Sequence, residues 1–426
     1  MSEPESTEPL QVENLVPFMP HNIEGTGLDF GFLADLALKA VYSDSQCTTE
    51  RAAEGLKLPM PITETLLQYL YREKFIDIRG AAGFRNDRYA MLDHGWERVR
   101  RLLELSGYIG PAPVSLSSYT GMVQWQEKIK EAVKPESLQA AFAHLILPEG
   151  TIQTLGLVAN SRRSLFLTGP PGNGKTSIAK ALHTALGGEI WIPYAVEVDG
   201  QIIKIFDAHN HEPIQPQPSV RHDERWVKIK RPLVIVGGEV TMESTDLIYS
   251  QTVRFYEAPF QMKSNGGTLV VDDFGRQRVD PRDLINRWII PLESRIDYMT
   301  LHTGKKIQVP FEQLLIFATN LDPKSVVDDA FLRRMGYRLR ADPPSPETYG
   351  LIFQRCVESR GLKYDRQLLD LLLTRYARED RPMACCEPRD LVERGLDICR
   401  YEERPPALTP EVLELAWDNY FGPHMD

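Results

Sequence analysis

Two hydrophobic periods alternate along the chain, and the points where one gives way to the other divide it. From Leu28 onward, Phe32, Leu33, Leu36, Ala37, Ala40 and Val41 recur at helical spacing until Ser43-Asp44-Ser45 breaks the run. Thr48 or Thr49 is placed to cap a short helix through Leu56. Pro61 opens a third helix to about Glu73, with Ile62, Thr65, Leu66, Tyr69 and Leu70 inward. Phe75 to Ile78 and Arg88 to Leu92 read as two strands around a glycine-containing turn, followed by a helix from Asp93 to about Leu105. Gly110-Pro111-Ala112-Pro113-Val114 makes a rigid, non-helical connector. Gln124 to about Ala143 is predicted helical with a break at Pro135, and Thr151 to Asn160 forms one more helix.

The second half alternates differently. Leu165-Phe166-Leu167, bounded by turn signals, predicts a buried strand, and a helical pattern resumes at Lys175. Past Gly187-Gly188 the chain turns β-rich: Glu189 to Glu197 and Gln201 to Phe206 flank the turn Asp199-Gly200, and Trp226 to Val236 reads as another strand. This stretch, about 190–236, reads as an insertion. Gly267 to Val271 and Leu314 to Thr319 are further buried strands. Between them lie a helix over Asp283 to Arg295, interrupted at Pro291, and a hairpin of Asp297 to His302 with Lys306 to Phe311. From Pro343 the pattern is helical: Pro346 to Arg360, Asp365 to Arg378, Pro388 to Glu403 and Pro410 to Tyr420.

A length of 426 residues allows two or three domains, and 42% hydrophobic with 25% charged residues is ordinary for a globular protein. The net charge of −10 argues against a general polyanion binder. Five cysteines, odd in number and outside metal-ligand spacing, read as free thiols in a reducing compartment. No apolar run approaches the roughly 18 residues that span a bilayer, and a cytoplasmic location is expected. Residues 1–25, acidic and proline-bearing, read as a flexible tail. His209, His211 and His222 lie among prolines without an acid or cysteine cluster, which reads as a solvent loop rather than a metal site.

The chemistry begins where the Leu165 strand ends. Gly169-Pro170-Pro171-Gly172-Asn173-Gly174-Lys175-Thr176-Ser177 is a GxxxxGK[ST] loop with a strand before it and a helix after it. The glycines let successive N–H groups point inward at phosphate oxygens, and the helix N-terminus adds partial positive charge. Lys175 is suited to the outer phosphates and Thr176 to Mg2+, which predicts binding of a nucleoside triphosphate. The buried strand at Gly267 ends in Asp272-Asp273. An acid at that place holds the Mg2+ shell, a role for Asp272, and a second carboxylate, Asp273, can position and polarise the attacking water.

With these residues in view the chain resembles the AAA+ ATPases, and within them the MoxR-like group, over about residues 147–426. Asp272-Asp273-Phe274-Gly275-Arg276-Gln277 resembles that group's acidic strand end, although family members usually carry Asp-Glu, so Asp273 is one methylene short and slow hydrolysis is expected. The resemblance implies that Asn320 is the sensor 1 residue, hydrogen-bonding the γ-phosphate or its water. It implies that Arg333 or Arg334, in Asp328-Asp329-Ala330-Phe331-Leu332-Arg333-Arg334, reaches a neighbouring subunit's nucleotide. It also implies that Arg389, in Glu387-Pro388-Arg389-Asp390-Leu391, is sensor 2. The alternatives are a turn asparagine, surface ion pairs and a helix salt bridge.

The fold class that follows is α/β. A P-loop AAA+ core of parallel sheet and flanking helices spans 147–342, with a helical lid over 343–426. A linker covers 111–146, and a segment at 26–110 resembles a winged helix: three helices, a two-stranded wing and a closing helix. That segment holds 11 Lys or Arg against 12 Asp or Glu, so docking to protein is favoured over DNA binding, with only Arg79, Arg85 and Arg88 of the wing offering positive charge. The family implies ATP with Mg2+ and a ring, a hexamer, that remodels or assembles a protein client. A DNA-associated motor and a slowly hydrolysing assembly switch remain as rivals. Phe255 and Tyr256 read as either ring-pore aromatics or packed core.

Overall fold

The computed structural model describes residues 16–216, 221–322 and 329–422. At its centre five short strands form an all-parallel sheet: β1 Leu165–Thr168, β2 Leu233–Val236, β3 Thr268–Val271, β4 Leu314–Thr319 and β5 Tyr337–Arg340. Their spatial order is β5-β1-β4-β3-β2, with the phosphate-loop strand beside the centre. Both faces of such a sheet are covered, so its strands read as unbroken apolar runs. The two-residue alternation then sorts side chains by face. Phe166, Leu269, Val271, Leu315 and Phe317 meet Phe274, Trp288 and Phe331 on one side. Leu165, Leu167, Val270, Leu314 and Ile316 meet Ile178, Ala179 and Leu182 of the Lys175–Leu186 helix on the other.

The β-rich region is built differently from its sequence expectation. The strand expected over Trp226 to Val236 is two strands, Trp226–Lys230 and β2, split at Arg231-Pro232, where proline removes a ladder donor. The last four residues of the expected insertion therefore belong to the central sheet. Glu189 to Glu197 likewise divides, Glu189–Pro193 pairing with Trp226–Lys230 and Ala195–Val198 with Gln201–Lys204. Val114–Ser115 of the expected linker adds an edge strand to the latter sheet. The following helix starts at Leu116, eight residues before its expected position, and packs Tyr119 and Val123 into this second core with Trp191, Val196, Ile203 and Tyr256. The Ile296–Thr300 and Lys306–Pro310 hairpin contributes Met299, Ile307 and Val309 to the same core. Tyr256 is 1% exposed and Phe255 packs edge-on against Tyr108, so both aromatics are packing residues. The Pro281–Ser294 helix runs unbroken through Pro291.

Residues 30–105 form three helices, the Ile76–Gly83 and Asn86–Met91 hairpin and a closing helix around a core that also takes in Ala195 and Ile202 of the second sheet. In the third helix, Met60–Arg72, the buried face is Ile62, Thr63, Leu66, Leu67 and Leu70; Thr65 and Tyr69, expected inward, face out. Within residues 16–25 of the expected tail, Pro17 and Pro20 are buried, while Phe18, His21, Asn22, Glu24 and Gly25 are exposed. Pro17 O accepts from the Asp223 N–H at 2.9 Å, and Val16 lies on the second core. The remainder of that tail is outside the described residues. A buried pair locks this junction: Arg225 is held by the Asp223 carboxylate and donates to Thr26 O (2.8 Å) and Pro113 O (3.1 Å). The C-terminal helices Pro346–Ser359, Arg366–Arg378, Glu387–Tyr401 and Pro410–Phe421 share a separate core of Tyr349, Phe353, Leu369, Tyr376, Leu391 and Trp417. No helix among the described residues is long and apolar enough to cross a membrane.

Candidate functional site

The turn after β1 takes the geometry its glycines permit. Gly169, Gly172 and Gly174 all have positive φ (138°, 79° and 78°), and Gly174 leads directly into the Lys175–Leu186 helix. Lys175 is buried and folds back on the loop, its Nζ donating to Gly169 O (2.8 Å) and Pro170 O (2.9 Å). Burial pulls its ammonium below the usual value, and the Asp272 and Asp273 carboxylates oppose that shift. Gly169 and Pro170 thus sit behind the loop as supports, while Pro171 to Ser177 line the cleft.

β3 delivers the acids. Thr176 Oγ1 donates to Asp272 Oδ2 at 2.7 Å, which joins hydroxyl and carboxylate across 96 residues. Asp273 is exposed at φ 48°, an uncommon conformation for a residue with a Cβ, and its N–H donates to Asp272 Oδ1. The turn is held from behind: Gln277 Nε2 donates to the carbonyls of Asp272 and Asp273, and Thr319 Oγ1 donates to Phe274 O at 2.6 Å. Asn320, at the end of β4, lines the cleft, and its buried Oδ1 has no hydrogen-bond partner among the described residues.

The cleft so formed holds about 560 Å3, within the range of small-molecule sites. Its far wall is the C-terminal helical unit, and several residues there carried no local sequence signal. The Cys386 N–H donates to Gly172 O at 2.9 Å, and the Cys385 N–H donates to Asn173 Oδ1 at 3.1 Å. A Cβ on Gly172 would stand 2.7 Å from Cys386 Sγ, so the loop glycine is needed for this approach as well as for its φ. Buried Glu387 fixes the segment: its Oε2 accepts from the Ala384 N–H and from Tyr376 OH, each at 2.6 Å, and Tyr376 meets Tyr349. Burial raises the Glu387 carboxyl, with those two bonds opposing. Arg389 lines the cleft and is tied to Asp390 (2.9 Å), and Arg355 lines it while donating to Ala143 O.

Arg333 and Arg334 are elsewhere. They close helix Asp329–Arg334 at the opposite, amino end of the sheet, beside Arg163, Ser164 and Gln313. The five residue steps from Ser164 to Gly169 place that end roughly 16 Å from the loop. Arg334 pairs with Glu293 at 2.6 Å; Arg333 is exposed. Asp328 of the expected finger segment lies outside the described residues. Of the histidines, His211 departs from the solvent-loop expectation: it is 2% exposed, its Nδ1 accepts from the Asp207 N–H, and its Nε2 meets Lys263 O. No cluster of three or more His, Cys, Asp or Glu side chains placed to hold a metal ion occurs among the described residues.

A family profile described as a domain of unknown function, DUF8689, matches residues 345–419, the C-terminal helical unit. No curated protein matches the chain. Among solved structures it is similar to NtrX from Brucella abortus in complex with ADP, at 16% identity and TM-score 0.41, over 65% of this chain and 56% of that one. It is also similar to the Thermotoga maritima RuvB Holliday junction branch migration motor, at 13% identity and TM-score 0.38, over 65% of this chain and 70% of that one. The chain thus spans little more than half the length of the NtrX structure.

Proposed function

We propose that the chain is an ATP hydrolase of the AAA+ type, close to the MoxR-like group, which assembles into a ring and remodels or assembles a protein client. The observation that carries this reading is the single cleft in which the phosphate loop, the Thr176–Asp272 pair, Asp273, Asn320 and Arg389 converge. The donor set fits Mg2+: a hydroxyl and a carboxylate already paired, both hard oxygen ligands. Bound there with the nucleotide, Mg2+ would neutralise charge on the phosphate oxygens. The chain's own groups supply the rest. Inward N–H groups of residues 172–176 and Lys175 hold the phosphates, Asp273 orients the attacking water and takes its proton, and Asn320 offers its amide to the γ-phosphate. Arg389 reaches in from the lid, so departure of the phosphate is felt by that unit.

The placement of Arg333 and Arg334 at the far end of the sheet supports a role toward a neighbouring copy rather than their own cleft. Residues 26–110 fit a winged helix that recruits the client. Its wing offers little free charge to DNA, because Arg85 pairs with Glu64 (2.5 Å) and Arg79 lies 3.8 Å from Asp77. The test is steady-state ATP hydrolysis against protein concentration. Specific activity should rise with concentration and vanish in Lys175→Ala and Arg334→Ala. Turnover that is independent of concentration and insensitive to either change would refute the reading. Tight ATP binding with almost no turnover would instead select the assembly switch, which the short Asp273 side chain favours.

A further inference from the structure

The phosphate loop meets the C-terminal unit at two consecutive lid amides. The Cys386 N–H is taken by the backbone carbonyl of Gly172 at 2.9 Å, an acceptor that any residue there would supply. The Cys385 N–H is taken by a side chain, Asn173 Oδ1, at 3.1 Å. Both amides lie ahead of the Glu387–Tyr401 helix, where N–H groups have no intrahelical acceptor. The Cys385 bond also fixes the amide plane of Asn173. Turned over, the side chain would set its own NH2 against a backbone N–H, donor against donor. Nδ2 therefore points the other way. It is buried and has no hydrogen-bond partner among the described residues, although Asn173, 5% exposed, lines the nucleotide cleft. Buried amides are nearly always paired, and an orphaned donor carries the full cost of its lost water. The acceptor-rich group that this cleft is shaped to take is a phosphate chain.

We infer that the Asn173 amide couples the lid to the phosphates: Nδ2 donates to a phosphate oxygen of the bound nucleotide while Oδ1 holds the Cys385 N–H. The inference rests on the ATPase reading above and gives that site a second route to the lid, separate from Arg389. The sign of the coupling follows from burial. The lid contact that satisfies Oδ1 also shuts Nδ2 away from water. Without a phosphate in the loop, closure leaves a buried donor unpaired; with one, closure satisfies both ends of the same amide. Nucleotide therefore favours the closed lid, and by reciprocity the closed lid tightens nucleotide. Asn173 acts as a positioning residue for the lid as well as a phosphate contact.

Three measurements on the full-length chain test this. Calorimetry of Asn173→Ala should show ATP binding at least about tenfold weaker, the scale of a hydrogen bond to a charged acceptor. AMP, which lacks the outer phosphates, should bind wild type and variant alike, whereas a merely structural role would weaken both nucleotides equally. Hydrogen exchange at the peptide containing Cys385 should slow when ATP binds wild type. In Asn173→Ala at saturating ATP that slowing should disappear while the amides of the phosphate loop stay protected. Asn173→Asp separates the two ends of the side chain. It keeps an acceptor for the Cys385 N–H but turns the donor into a carboxylate. Exchange without nucleotide should then match wild type, while ATP affinity falls at least as far as in Asn173→Ala. Should Asn173→Ala fold poorly, Asn173→Asp carries the test. Tighter ATP binding by Asn173→Asp than by Asn173→Ala, equal losses for ATP and AMP, or ATP-dependent slowing that survives in Asn173→Ala overturns the inference. Failure of the wild-type chain to bind ATP at all overturns the ATPase reading, and the inference with it.

Discussion

Gly172→Ala isolates the contact between the phosphate loop and the lid. Two penalties are readable from the geometry. Alanine at φ 79° forces a Cβ toward the carbonyl that follows, worth about 1–2 kcal/mol. The same Cβ would stand 2.7 Å from Cys386 Sγ and 3.1 Å from Ala384 Cβ, so either loop or lid must yield, at about 1–3 kcal/mol by analogy with overpacked cores. The sum, roughly 2–5 kcal/mol, falls on the closed arrangement in which the Cys386 N–H reaches Gly172 O. ATP affinity measured by calorimetry should therefore drop by more than tenfold, since about 1.4 kcal/mol suffices for each factor of ten.

The two penalties separate in a double-mutant cycle. Cys386→Ala removes the sulfur and leaves its backbone N–H in place. It should therefore recover the packing share of the Gly172→Ala loss and none of the conformational share, giving a coupling energy of about 1 kcal/mol or more. If the two substitutions are additive, the lid does not press on the loop in the binding state, and the lid–loop contact is not what limits affinity.

Two further outcomes are expected. Asp273→Glu should raise kcat roughly tenfold at unchanged ATP affinity, because the added methylene extends the carboxylate toward the water position, and positioned bases are worth that much and more; single-turnover hydrolysis measures it, and a slower enzyme would count against Asp273 as the base. His183, hydrogen-bonded to Thr268, is pushed down to about 4 by burial and by the Arg231 and Arg162 charges. The unfolded chain therefore binds the proton more readily, so this contribution of roughly 3 kcal/mol is complete above about pH 6.5 and is lost as pH falls toward 4. Urea melts of His183→Gln between pH 7 and pH 4.5 should show a shallower decline than wild type; equal slopes would dismiss the histidine as the cause.

Much of the core was legible because its signals are local. β1, β3 and β4 are apolar runs, since a parallel sheet buries both faces, and the loop and its acids sit at the strand ends where the backbone turns. What escaped depends on chain segments far apart. Cys385 and Asn173 are 212 residues apart in sequence, and neither residue type signals the bond between them. Arg355 is one charge on an amphipathic helix until the fold brings it to the cleft. For Tyr256 the sequence left pore aromatic and packed core both open, because nothing nearby in sequence shows that Tyr249 and His302 pack against it. The Trp226 to Val236 run kept one hydrophobic texture across two different sheets, and only Pro232 marked the division.

The lid makes the same point energetically. Its helices bury Tyr349, Tyr376 and Trp417 among themselves, so it holds together without the sheet. It meets the nucleotide cleft through polar contacts: Cys386 to Gly172, Cys385 to Asn173 and Arg355 to Ala143. Single hydrogen bonds of this kind are worth about 1 kcal/mol each after the exchange with water. A body with its own core, joined by a few such bonds, opens as a unit at less free energy than either core needs to unfold. Ligand bound between them adds its differential affinity to the closed form alone. Tyr349, Tyr376 and Glu387 are then the residues that convert lid packing into loop geometry, because they fix Ala384 and with it the two amides that follow. Glu387→Gln keeps the shape of that junction but exchanges a charge-assisted acceptor for a neutral one, and it should loosen ATP binding while leaving the phosphate loop itself intact.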